Sequence, residues 1–341
     1  MKKLKHGGDL ARAEAEFGVP AADWLDLSTG ISPWCWPVPE LPESVWRTLP
    51  GDGAGLKTAA AEYYGLSTEA VLPVPGSQLA IQTIPTLFEP AAVAIPRWGY
   101  GEHRLGWQRA GHHIVHYRNA AELCQLVAAG QVQHVVVINP NNPSAERFST
   151  EDLLGLQRQL KHKDGWLVVD EAFIDSSPEH SLASHCPLPG LVVLRSPGKF
   201  FGLAGLRLGF AIAPAALLTQ LAQLLPPWIV SHPALWVGER ALADCQWQQQ
   251  QRERLAQASS QWLQQLRQAL PTLDWVATPL FVSGSGDDNY CQQIYQQLGQ
   301  QGILVRIFDA VDGVNRLRFG IPANKAEGQR ALNALSEEVS A

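Results

Sequence analysis

Residues 134–173 read HVVVINPNNPSAERFSTEDLLGLQRQLKHKDGWLVVDEAF. Two short apolar runs, HVVVINP (134–140) and GWLVVDEAF (165–173), enclose a segment, STEDLLGLQRQLKH (149–162), with helical spacing of its leucines. Runs that are apolar throughout, rather than alternating, belong to strands covered on both faces, and strands joined by a helix belong to a parallel sheet. AAVAIP (91–96) and GLVVLRSP (190–197) repeat the pattern on either side. The expectation is an α/β layer with a mostly parallel sheet, and functional residues in such sheets gather at the carboxyl ends of the strands. Those ends here are NPNNPS, DEAF and RSPGK.

Beyond this core, prolines interrupt the rhythm in LLPPWIVSHP (224–233). The glutamine-rich QWQQQQRERLAQASSQWLQQLRQAL (246–270) keeps leucine, tryptophan and alanine at helical intervals and reads as one long amphipathic helix. FVSG, a further helix, GILVRIF and NRLRFGIP then suggest a smaller α/β domain. The expected division is an N-terminal segment (1–44) packing with the small domain and the active site, a large domain (45–230) and a small C-terminal domain (231–341).

Composition narrows the function classes. With 46% apolar and 17% charged residues the chain is a folded protein, and its formal net charge of −6 leaves no basic footprint for nucleic acid. The basic start MKKLKHGG is not followed by an apolar stretch, and no later run reaches the ~18 apolar residues of a membrane span, so a cytoplasmic location is expected. Cysteines 35, 124, 186, 245 and 291 show no paired or metal-binding spacing, so neither a disulfide framework nor a metal site is expected.

The chemistry points to RSPGKFFGLAGLRLGF (195–210). A lysine among glycines and apolar residues, Lys199, is suited to attack a carbonyl, because weak solvation favours its neutral amine. Ser196 and Arg207 flank it with a hydroxyl and a guanidinium, groups suited to a phosphate. In VPGSQLAIQTI (74–84), Gly76 and Ser77 open a helix whose free N–H groups can hold an anion, although a simple helix cap would look the same. Asp170 ends the run WLVV, where a buried carboxylate needs a cationic partner. Together these residues suit an anionic, aromatic, carbonyl-bearing cofactor.

The ordered series PGSQLA, GYGEH, NPNNPS, VDEAF, SPGK, GLRLG and LRFGIP resembles the fold-type I pyridoxal-phosphate enzymes of the class I and II aminotransferase superfamily, in the histidinol-phosphate aminotransferase branch. The resemblance implies a large domain with a mostly parallel seven-stranded sheet, a smaller C-terminal α/β domain, pyridoxal 5'-phosphate as cofactor and a homodimer. It implies that Lys199 binds the cofactor as a Schiff base and that Asp170 pairs with the pyridine nitrogen. By the same resemblance Asn142 bonds the phenolate oxygen, Tyr100 rather than Trp98 stacks on the ring, and Gly76, Ser77, Gln78, Ser196 and Arg207 cradle the phosphate.

HGGDLARAEAEFG (6–18) and LDLSTGISP (25–33) further resemble the threonine-phosphate decarboxylase family. That likeness implies substrate contacts from His6, Gly7, Gly8, Thr29, Gly30 and Asn142, with Arg306 on the substrate phosphate and Arg318 on its carboxylate. The implied reaction is decarboxylation of L-threonine O-3-phosphate to (R)-1-aminopropan-2-yl phosphate in cobalamin biosynthesis. Histidinol-phosphate-type transamination is the alternative, because the same residues serve both, and a cofactor-binding regulator without turnover is a third reading. Two positions depart from the superfamily pattern: Phe173 stands where many members have a tyrosine, and Leu49 where a tyrosine reaches a neighbouring subunit.

Overall fold

In the computed structural model, which describes residues 6–336, the chain forms two compact units. The smaller comprises the residues up to 34, 143–145 and those from 249 onward; the larger comprises 35–142 and 146–248. The smaller unit starts with α1 (Leu10–Phe17) and β1 (Leu25–Asp26). The larger unit then runs through α2 (Glu43–Arg47), α3 (Ala54–Tyr64), β2 (Val71–Val74), α4 (Ser77–Thr83), β3 (Ala92–Pro96), α5 (Gly101–Arg109), β4 (His113–Tyr117) and α6 (Ala120–Ala128). It continues with β5 (His134–Ile138), α7 (Thr150–Lys161), β6 (Trp166–Asp170), β7 (Leu191–Arg195), β8 (Gly209–Ile212), α8 (Ala215–Gln223) and α9 (His232–Ala243). Then come α10 (Cys245–Ala269), β9 (Asp274–Thr278), β10 (Phe281–Asp287), α11 (Asp288–Gln300), β11 (Ile303–Leu304), β12 (Arg306–Ile307), β13 (Val314–Gly320) and α12 (Lys325–Ser336).

The larger unit is built on a seven-stranded sheet of order β2-β8-β7-β6-β5-β3-β4. Only β8 runs against its neighbours β2 and β7; the other pairs are parallel. Because β2 is antiparallel to β8, it points the same way as β7, and the carboxyl ends of β2, β3, β5, β6 and β7 share one edge of the sheet. The continuous apolar runs have the expected cause: Val135, Val136 and Val137 in β5 are all 0% exposed. Burying each such side chain stabilises the fold by about 1.5–3 kcal/mol. α7 is started by Ser149, whose side chain accepts from the Asp152 N–H.

The smaller unit carries an antiparallel sheet of order β12-β13-β10-β9 and a two-stranded parallel pair, β1 with β11. Leu255, Trp262 and Leu266 line one face of α10 and are buried, which is the packing its helical periodicity anticipates. GILVRIF does not form one strand. Its first half pairs with β1 and its second half with β13, so the break at Val305 lets one segment serve two sheets.

The unit boundaries differ from the sequence expectation at both ends. The prolines near residue 226 end a helix without ending a core, since α9 packs on α3 within the larger unit and Gly238 lies so close to Leu208 that a Cβ would stand 2.4 Å from its Cδ2. The division falls inside α10, between residues 248 and 249. Residues 35–44 likewise belong to the larger unit, where the Trp36 N–H donates to the Phe201 carbonyl at 2.8 Å and its indole N–H to Asp244 at 3.0 Å.

One close approach in the larger unit admits a direct test. Gly165, between α7 and β6, would place a Cβ 2.0 Å from the Gln133 carbonyl oxygen. Gly165→Ala is expected to force a backbone shift costing about 1–3 kcal/mol, read as a lower urea midpoint. An unchanged midpoint would show that the crossover is not closely packed there.

Candidate active site

The cofactor-binding residues expected from sequence all lie in the larger unit, on the strand-end edge of its sheet. Asp170 is the last residue of β6, Asn142 follows β5, Tyr100 lies between β3 and α5, and Ser196 and Lys199 follow β7. Gly76 is the N-cap of α4 just beyond β2 and takes φ +76°. A Cβ there would stand 2.8 Å from Arg207 Nη2, and one on Gly209 would stand 2.4 Å from the Ser77 nitrogen. Gly76 is therefore favoured by conformation as well as by close approach, and Gly209 by its close approach to backbone. They bring the opening of α4, Ser196 and Arg207 to one place, where the Ser77 and Ser196 hydroxyls are 2.7 Å apart. Arg207 is itself left-handed, with φ +55°, and its side chain is exposed.

Gln78 plays a different part from the one its motif suggests. Its amide oxygen accepts from Tyr100 Oη at 2.8 Å and its amide nitrogen donates to Glu102 at 3.0 Å, so its first-turn N–H is the group it can offer a phosphate. The Tyr100 hydroxyl is pushed well above the usual phenol range by burial, reinforced by Glu102 and Asp170, and so it acts as a fixed hydrogen-bond donor.

Asp170 is 3% exposed. Its Oδ1 accepts from the Ala172 N–H at 3.1 Å and its Oδ2 lies 2.9 Å from His103 Nε2. Sequence reading missed His103, because its position in α5, three residues after Tyr100, carries no sign of a partner that follows 67 residues later. Lys199 is half-buried, and its Nζ lies 5.9 Å from the centre of the Phe173 ring. The phenylalanine thus supplies an apolar wall beside the amine, where a tyrosine would have supplied a hydroxyl.

Behind these residues lies a second group that sequence reading also missed. Arg195 (1% exposed) donates to Glu171 (0%) at 3.0 Å and to Ser181 Oγ at 2.8 Å, pairs with Asp175, and has its guanidinium carbon 4.4 Å from the centre of the Tyr64 ring. Burial raises the Glu171 carboxyl, and Arg195 opposes that rise. The cluster joins the ends of β6 and β7, one residue after Asp170 and one before Ser196.

The residues expected to meet substrate lie in the smaller unit, where the structure connects several of them. The Gly8 N–H donates to Ser28 Oγ at 2.7 Å, and a Cβ on Gly7 would stand 2.4 Å from the Ser28 carbonyl oxygen. Ser28 is held in turn by Asp26, through its N–H at 2.8 Å and its hydroxyl at 2.6 Å, while Arg318 donates to its carbonyl. Gly30 is buried, Thr29 is half-buried and His6 is exposed. Arg306 and Arg318 face each other in the β12–β13 register, and the guanidinium carbons lie 5.0 and 5.9 Å from the centre of the Phe308 ring. Burial disfavours the charge on Arg318, Arg306 adds to that effect and Asp26 opposes it. Two adjacent, partly desolvated guanidinium groups gain most from an anion.

The chain belongs to the aminotransferase class I and II family, whose sequence model matches residues 43–335. It is 43% identical over 337 residues to a threonine-phosphate decarboxylase of Pseudomonas aeruginosa, covering 97% of each chain. It is 42% identical over 245 residues to one from a Sinorhizobium species, covering 69% of this chain and 71% of the other. Among solved structures, a histidinol-phosphate aminotransferase from Sinorhizobium meliloti in complex with pyridoxal-5'-phosphate matches with a TM-score of 0.80, at 20% identity and 98% coverage of both chains. An L-threonine-O-3-phosphate decarboxylase from Porphyromonas gingivalis matches with a TM-score of 0.71, at 18% identity, over 91% of this chain and 97% of that one. The architecture is fold-type I.

The residues fit pyridoxal phosphate: two glycines clear space where helix N–H groups, two hydroxyls and an arginine converge, and a buried carboxylate stands at a neighbouring strand end. The His103–Asp170 contact can be tested without cofactor. His103→Phe leaves the buried carboxylate short of a partner and is expected to destabilise the cofactor-free protein by about 1–3 kcal/mol. Thermal unfolding checks this, and an unchanged midpoint would deny the contact any structural weight.

Proposed function

We propose that the protein is a pyridoxal-phosphate-dependent carboxy-lyase that converts L-threonine O-3-phosphate to (R)-1-aminopropan-2-yl phosphate and carbon dioxide in cobalamin biosynthesis. The observation that carries this reading is the 43% identity to a threonine-phosphate decarboxylase across 97% of both chains. The network from Gly8 through Ser28 to Arg318 supports it, since it fastens the N-terminal motif to an arginine suited to a substrate anion.

In this reading the opening of α4, Ser77, Ser196 and Arg207 hold the cofactor phosphate, Tyr100 stacks on the ring and Asn142 bonds its phenolate oxygen. Lys199 would hold the cofactor through its amine. The cofactor, when bound, supplies an electron sink for the pair left on Cα as the bond to the carboxylate breaks. Asp170, positioned by His103, keeps a proton on the pyridine nitrogen and so strengthens that sink. Arg306 would hold the substrate phosphate and Arg318 its carboxylate, orienting the substrate. The Lys199 amine, once free, returns a proton to Cα. Phe173 gives the phenolate no hydrogen bond, leaving Asn142 as the donor assigned to it.

A cytoplasmic homodimer completes the proposal. Among the described residues no helix is long and apolar enough to cross a membrane. Trp46, Leu49 and Trp228 are 66%, 67% and 60% exposed, and large apolar side chains this open to water suit burial against a second copy of the chain. Leu49 would then offer apolar area where other members have a tyrosine.

Carboxyl-labelled L-threonine O-3-phosphate, supplied with pyridoxal phosphate and no oxo acid, is expected to release labelled carbon dioxide over many turnovers with equal formation of aminopropanol phosphate. Turnover only with histidinol phosphate and 2-oxoglutarate would overturn the proposal in favour of transamination. Lys199→Ala is expected to abolish borohydride-reducible attachment of the cofactor; retained attachment would place the bond elsewhere. Arg207→Ala is expected to weaken cofactor binding by about 1.5–3 kcal/mol, the loss of one charge-assisted contact, as measured by equilibrium titration.

A further inference from the structure

Resting on the proposed function, a cluster of polar side chains between α4 and α5 bears on how the cofactor is held. Gln78 and Gln82 are four residues apart on α4 and so share one face of it. Both amide nitrogens donate to the same oxygen on α5, Glu102 Oε2, at 3.0 and 2.9 Å, and the Gln82 nitrogen also donates to the Glu102 backbone carbonyl at 3.1 Å. One turn further along α5, Gly106 brings the two helices close: a Cβ there would stand 2.7 Å from the Ile81 carbonyl oxygen. α5 is therefore docked on α4 in one register, by a close approach at Gly106 and a shared acceptor at Glu102.

A carboxylate oxygen accepts and does not donate, so both glutamines turn their amide nitrogens toward Glu102 and their amide oxygens elsewhere. Those oxygens are used as well. Gln82 Oε1 accepts from Arg109 Nη1 at 3.1 Å, and Gln78 Oε1 accepts from Tyr100 Oη at 2.8 Å. Tyr100 is also the N-cap of α5, so its backbone and its hydroxyl are both fixed by the way α5 meets α4. Its ring meets His103 edge-on, with 6.3 Å between ring centres and 82° between planes, and His103 Nε2 in turn lies 2.9 Å from Asp170 Oδ2. The Tyr100 hydroxyl proton is committed to Gln78, which leaves the ring as the part of this side chain to offer a cofactor.

We propose that Glu102 is a positioning residue for the cofactor: by holding Gln78 and Gln82 together it fixes the Tyr100 ring and His103 relative to the opening of α4. The groups assigned to the cofactor ring, its pyridine nitrogen and its phosphate are thereby kept in one geometry before the cofactor arrives, and ordering them then costs little on binding. Two bonds to one carboxylate oxygen suit this task, because charge-assisted bonds resist sliding and rotation of α5 more than a single neutral bond would. Glu102 acts through Gln78, Tyr100 and His103.

The test uses the full chain and its Glu102→Ala, Glu102→Gln and Gln82→Leu variants. Each is stripped of cofactor and titrated with pyridoxal phosphate, and the visible circular-dichroism band of the bound cofactor is recorded at saturation. Glu102→Ala is expected to weaken the cofactor Kd about tenfold and to reduce the band per bound cofactor, since a ring held in several orientations gives a smaller one. Glu102→Gln keeps an amide oxygen for both glutamines and is expected to restore the Kd to within about threefold of the unaltered protein. Gln82→Leu removes one of the two anchors and is expected to weaken the Kd about threefold, with a smaller change in the band; it decides the matter if Glu102→Ala does not fold. Unchanged Kd and band in folded Glu102→Ala, or in Gln82→Leu where the alanine variant does not fold, would overturn the proposal. So would a lower unfolding temperature with unchanged Kd and band, which would make Glu102 a fastening between two helices alone. If the unaltered protein binds pyridoxal phosphate but releases no carbon dioxide from L-threonine O-3-phosphate, the proposed reaction fails, while the titrations still decide the role of Glu102.

Discussion

Arg195 is a fully enclosed cation among Glu171, Asp175, Ser181 and the face of Tyr64, and through these partners it joins the carboxyl ends of β6 and β7. Side chains alternate across a strand, so Asp170 and Glu171, like Arg195 and Ser196, project to opposite sides. The Glu171 N–H donates to the Leu194 carbonyl at 2.9 Å, which continues the β6–β7 ladder to the strand ends. An ion cluster on one side of those ends therefore fixes the spacing of Asp170 and Ser196 on the other. Removing one partner would leave a buried charge uncompensated, a penalty of several kcal/mol that ties the register of the site to the stability of the sheet.

The smaller unit is organised around charge of the other sign. Arg306 and Arg318 are cross-strand neighbours, an arrangement that is unfavourable unless an anion or a carboxylate answers it. Within the fold, Asp26 answers in part, and the Ser28 carbonyl takes a hydrogen bond from Arg318. The glycines of the N-terminal motif meet the same serine, so a segment that looks like a loose terminus is tied to the arginine pair.

Much of this was legible in the residues. The apolar runs located β3, β5, β6 and β7, because a strand buried on both faces must be apolar throughout. Gly76 and Ser77 were legible as the opening of a helix, whereas the close approaches at Gly76 and Gly209 that bring Arg207 and β8 against it were shown by the structure. His103, Glu171 and Arg195 were not legible, because each is explained by a partner from another element. Gln78 was found as part of a motif, but its amide turned out to be engaged with Tyr100 and Glu102. The expected domain junction at the prolines was displaced into α10 because helix breaks report local backbone limits, whereas compact units are set by which cores the flanking helices join.

The sequence by itself determined the α/β alternation and the strand ends, showed the family by resemblance, and nominated the lysine, aspartate and arginines of the candidate site. The alternation and the strand ends follow from periodicity, which acts over a few neighbouring residues, whereas the family and the roles of the nominated residues follow from the resemblance of an ordered series of motifs. Tertiary structure alone decided which buried charges answer one another and how one apolar run divides between two sheets. Those outcomes depend on contacts between residues far apart in the chain, where the energy of a buried ion or an unpaired donor is set by the partner that folding brings to it.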